Sequence, residues 1–156
     1  MISQLQQLLS VRELRVNRIR AEFAVASAAL AEIEAELASI NEELAQIAQQ
    51  RAAWERDWQH WLHQDRVIRH GQDYSLAHTA LSAWEQDANQ VHHQVSNRHA
   101  KALSEVLSIR ARLLKAEQLL EVLRQELRAM QRRDYARRIA LAESRLQDEP
   151  RELTVH

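Results

Sequence analysis

The chain has no cysteine, which excludes disulfides and thiol chemistry and weakly favours a reducing compartment. It has one glycine, Gly71, and one proline, Pro150, in 156 residues. Ordinary globular chains carry roughly 7% Gly and 5% Pro, because turns need them. A chain with almost no turn formers has almost no turns. No apolar run approaches the roughly 20 residues of a membrane span. The opening MISQLQQLLSVRELR lacks the basic start and apolar core of a signal peptide. We expect a cytoplasmic protein with no direct membrane insertion. The formal net charge of −1 argues against nucleic acid as the main partner. Lysine is scarce as well, at two residues against 19 arginines.

Ala, Leu, Glu, Gln and Arg dominate, and these are strong helix formers. The composition predicts an all-α protein of a few very long helices. Such helices bury a stripe rather than fill a ball.

The apolar spacing sharpens this. Ile2, Leu5, Leu9, Val16, Ile19, Phe23, Ala26, Leu30, Ile33, Leu37, Ile40, Leu44, Ile47, Trp54, Trp58 and Trp61 recur in alternating three- and four-residue steps. Only Arg12 and Arg51 interrupt the series, so it is a coiled-coil seam. At 1.5 Å per residue this helix would be roughly 90 Å long. A second series runs from Tyr74 through Leu81, Trp84, Ala88, Val91, Val95, Arg98, Ala102, Val106, Ile109, Leu113, Leu120, Leu123 and Leu127 to Met130. Two consecutive four-residue steps at Arg98–Val106 predict a stutter that locally unwinds the supercoil. Beyond Met130 the seam turns polar, at Asp134 and Arg137. A shifted stripe of Tyr135, Ile139, Ala142 and Leu146 continues toward Pro150, the predicted helix stop.

HGQD, residues 70–73, separates the two series. Gly71 can end the first helix in a left-handed conformation, and Asp73 or Ser75 can cap the second. We therefore expect one domain, a single antiparallel coiled-coil hairpin. Its helices span about 2–69 and 75–149, with a turn at 70–74 and a short C-terminal tail. Helices of similar length bring both chain ends together. Arg12 then falls opposite residues 130–134, with Asp134 as its expected partner. Trp84 falls opposite Trp58, making an aromatic clamp beside the turn.

Charge is unevenly placed. Arg12, Arg15, Arg18 and Arg20 lie near one end of the sequence, and residues 124–138 hold six arginines against Glu126 and Asp134. Between them lies an acidic stretch with Glu32, Glu34, Glu36, Glu42 and Glu43. A solvated helix face laced with ion pairs is the plain explanation. The arginine bias also suits fixed bidentate contacts with an acidic protein partner or pore lining. Trp54, Trp58, Trp61 and Trp84 are either packing near the turn or a partner site, since half-exposed Trp is typical of interface hot spots. His60 and His63 stand at metal-pair spacing without accompanying ligands, so we expect no metal. No phosphate loop, catalytic triad or enclosed pocket is legible, and we expect neither enzyme activity nor a cofactor.

The chain resembles a known family. A single antiparallel coiled-coil hairpin of about this length is the build of the central stalk protein of type III secretion ATPases, the FliJ/YscO family. The opening L-x-x-L-L-S-V-R-E-L-R at 5–15 and RRDYARR at 132–138 resemble that family's two ends, and W-x-x-W-L-x-Q-D resembles its injectisome members. The resemblance implies a protein peripheral to the inner-membrane export apparatus. Its terminal end would engage the hexameric secretion ATPase and promote protein export. The rest would reach toward the export gate protein and bind secretion chaperones. It places the ATPase contact on Leu5, Leu8, Leu9, Arg12, Glu13, Arg15, Arg132, Arg133, Arg137 and Arg138. The Trp-rich tip would face the gate or a chaperone. The alternatives are a stand-alone coiled-coil adaptor without an ATPase partner, a chaperone-like scaffold that holds clients, and a swapped dimer.

Overall fold

The computed structural model describes residues 1–64 and 67–154, with side chains described for 1–64 and 70–148. Two helices account for nearly all of them: α1, Ile2–His63, and α2, Val67–Thr154. No strand occurs among the described residues. The protein is an all-α antiparallel helical hairpin, as the composition predicts.

The chain divides into two compact units. The loop unit is Ala24–Leu107, and the terminal unit joins Met1–Phe23 to Ser108–His156. In the loop unit, Ile40, Ile47, Leu81 and Ala88 form the buried core, with Leu37, Leu44, Trp54 and Trp84 packed against it. In the terminal unit, Val16, Ile19, Ile109, Leu120 and Leu127 are buried.

Every position of the first predicted seam, from Ile2 to Trp61, is buried or half-buried. Strong formers at polar positions and apolar residues at seam spacing agree here, so α1 has no local conflict. On α2 the predicted seam needs one correction. Val91 and Arg98 are exposed, while His92 and His99 are half-buried. The inward series is Leu81, Trp84, Ala88, His92, Val95, His99, Ala102, Val106. The steps from Val95 to Val106 are then regular, and no stutter lies at 98–106. The doubled four-residue step moves to Trp84–Ala88–His92, beside a layer where Trp84 and Glu85 both turn inward. Reading hydrophobicity alone missed this, because imidazoles take seam positions in place of apolar residues.

The turn also moves. α1 ends at His63, and Gln64 N–H donates to the Trp61 carbonyl at 3.2 Å in a tightened last turn. The expected turn at 70–74 is instead helix, as are both expected caps. Asp73 lies inside α2, and the Ser75 carbonyl accepts from Thr79 Oγ1 at 2.9 Å. The reason lies in the aromatics. Trp61 stacks on His70 with centroids 4.3 Å apart, and Trp58 stacks on Tyr74 at 4.7 Å. His70, Tyr74 and His78 are one helical turn apart, so only a helix through Gly71 presents them on one face. A helical Gly costs about 1 kcal/mol relative to Ala, and each aromatic pair contributes about 0.5–1.5 kcal/mol beyond its burial. Two such pairs win.

Nor are the helices of similar length: α1 has 62 residues and α2 has 88. α2 also continues past Pro150 to Thr154, so proline does not end it.

Candidate functional site

In the terminal unit, α2 outruns α1. Cross-helix ion pairs set the register: Arg20 with Glu117 at 3.2 Å, Glu22 with Arg112 at 3.3 Å and Glu13 with Arg124 at 3.4 Å. The α2 number rises as the α1 number falls, so the start of α1 lies beside residues 126–137. An open groove of 710 Å³ marks that step, lined by Met1, Ile2 and Met130 with Arg133, Asp134 and Arg137 at its rim. Residues 138–148 lie beyond the start of α1, and every residue from 135 to 148 is exposed.

This register places the sequence-derived residues. Leu5 and Leu9 are half-buried on the seam, while Leu8 is 42% exposed. Arg12 and Glu13 are half-buried and Arg15 is exposed. The expected Arg12–Asp134 pair does not form. Asp134 lies beside the start of α1, about three turns away from Arg12's level, and pairs within its own helix with Arg138 at 3.1 Å. Arg132, Arg133, Arg137 and Arg138 are exposed together. Arg124 and Arg138 have carboxylate partners. Arg128, Arg132, Arg133 and Arg137 have none among the described residues.

Part of the acidic stretch of α1 finds partners within the loop unit. Glu36 accepts from Arg98 at 2.8 Å, and Glu34 stands 3.4 Å from His99. Surface pairs of this kind contribute about 0–1 kcal/mol each, so their role is alignment rather than stability. Arg51, the other polar seam residue, meets Glu85. That contact is poorly aligned, since Arg51 Nε and Glu85 Oε2 are buried without a hydrogen-bond partner.

At the loop end, the expected clamp of Trp84 on Trp58 is not what forms. Trp84 Nε1 donates to Glu43 beside the Ile40–Ile47 core. Trp58 instead stacks on Tyr74, and Trp54 meets Trp61 edge to face at 6.0 Å. All four indoles are half-buried. A two-helix pair cannot enclose them, because each presents roughly 150–250 Å². The contribution of Tyr74 and His70 to this ladder was missed in the sequence, although their four-residue spacing opposite Trp58 and Trp61 was the available signal. His60 and His63 are both exposed, and no group of three potential metal ligands occurs among the described residues. No helix among the described residues is long and apolar enough to cross a membrane.

No family model matches the chain, and no characterised protein or solved structure is similar enough to it to count as a relative.

Proposed function

We propose that this protein is a stalk of a type III secretion export ATPase, of the FliJ/YscO kind and nearer the injectisome members. In this reading it acts as an accessory protein rather than an enzyme. Its terminal unit seats in the hexameric ATPase, and its loop unit serves the export gate and secretion chaperones at the cytoplasmic side of the inner membrane. One observation carries the reading. Arg132, Arg133 and Arg137 stand exposed without partners among the described residues, beside the start of α1. A solvated face needs no such cluster of one sign. Arginines without internal carboxylates suit acidic groups on a surrounding partner.

The test is the steady-state rate of ATP hydrolysis by the cognate export ATPase, with and without this protein. A rise with wild type that Arg132→Glu/Arg133→Glu abolishes is the expected result. No rise with a folded protein and an active ATPase would leave the stand-alone adaptor as the better reading.

A further inference from the structure

The part of α2 beyond α1 has a second face that the arginines do not explain. Tyr135, Ile139 and Leu146 are 67%, 42% and 64% exposed. With Ala142 they recur at four, three and four residues, the step of a coiled-coil seam. At about 100° per residue they fall within an arc of roughly 60°. That arc is turned by about 100° from the seam that faces α1, so α1 does not cover it. Arg133 and Arg137 lie on the opposite side of the helix, whereas Arg132 continues the stripe and Arg138 flanks it, so the stripe overlaps the proposed ATPase contact at those two residues only.

The width of the stripe and its charges select an occupant. An interfacial membrane helix needs a broad apolar face and a basic polar one. This stripe is one side chain wide, and Glu143 borders it on the side away from Arg138 and Arg145. It fits one helix. A second copy of the chain fits poorly. Antiparallel pairing sets Arg138 against Arg145 of the other copy, since like flanks meet in that arrangement. Parallel pairing sets Arg132, which continues the stripe, against itself. Arg138 and Arg145 share one flank, a heptad apart. We infer that the overhanging stripe of α2 docks a single amphipathic helix of a partner protein, bearing carboxylates one heptad apart opposite Arg138 and Arg145. This goes beyond the ATPase reading, and peptide binding is measured without the ATPase, so the failure of one is distinguishable from the failure of the other.

The probe is a synthetic peptide of about four heptads, long enough to be helical. It has Ile and Leu at core positions, Glu at both flanks and a fluorescent label. Anisotropy is followed on titration with the full chain, and a Lys-flanked peptide serves as control. The acidic peptide should bind, and the Lys-flanked one should not. Ile139→Ser and Arg138→Glu/Arg145→Glu should each weaken binding by about tenfold or more. If Ile139→Ser lowers the helical circular dichroism, Ala142→Glu replaces it as the stripe variant. No binding, or binding unchanged by the stripe variant, would overturn the inference. So would a doubled mass in light scattering that the stripe variant abolishes, which would make a second copy the occupant. Stripe-dependent binding to anionic vesicles in place of the peptide would overturn it in favour of a membrane.

Discussion

Gly71 shows how one residue can mislead. In most chains a lone glycine between two apolar series ends a helix, because it alone takes a left-handed conformation without strain. Here it lies inside α2, and a Cβ built on it would meet only the Trp58 ring, at an ordinary 3.9 Å. Gly71→Ala should therefore raise stability by about 0.5–1 kcal/mol, read as a higher urea midpoint by circular dichroism. A left-handed turn residue would give the opposite sign, so a loss of stability would restore the turn at 70–74. Arg51 and Glu85 offer a second residue-scale test. Glu85→Ala should cost about 1 kcal/mol or more, because it strands Arg51 on the seam. Arg51→Leu/Glu85→Leu should be at least as stable as wild type, since apolar residues of similar size often equal or better such a pair. A double variant less stable than either single one would contradict this.

At the scale of the element, the seam of α1 was legible from Ile2 to Trp61, because only Arg12 and Arg51 interrupt its apolar spacing. Its end was not: the helix stops at His63 rather than near residue 69. α2 was less so. Its inward series runs through His92 and His99, and a reading keyed to apolar residues selected their neighbours Val91 and Arg98. Amphipathic side chains such as imidazole sit on either face, so only packing decides. The turn was misplaced because glycine is a strong local signal, while stacking across helices is not visible in one segment. The basic end was legible as composition, but α2's overhang was not. It depends on where the turn falls, and moving that turn toward the N-terminus shifts every facing pair. The corrected series makes a prediction of its own. His99→Leu should stabilise by about 1 kcal/mol through added apolar burial, while Arg98→Leu should lose up to about 1 kcal/mol with its Glu36 contact. Thermal unfolding of both variants reads the signs. The reverse pattern would put Arg98 on the seam and the stutter back at 98–106.

At the scale of the whole molecule, the buried core does not extend along the full length of α2. Among the described residues the last buried one on α2 is Leu127, whereas residues 135–148 are all exposed. Isolated helical segments gain little stability of their own, since most of it comes from packing an apolar face. The overhang should thus be dispensable for folding. Deleting residues 136–156 should leave the urea midpoint of the hairpin within about 0.5 kcal/mol of wild type, with helical signal falling only in proportion to the residues removed. The same deletion takes away Arg137, Arg138 and most of the exposed stripe. Under the proposed function it should abolish the stimulation of ATP hydrolysis. A drop in midpoint of more than about 1 kcal/mol would mean that the overhang packs against the hairpin. Full stimulation by a stable truncated chain would leave the ATPase contact to Arg132, Arg133 and the start of α1, without Arg137 and Arg138.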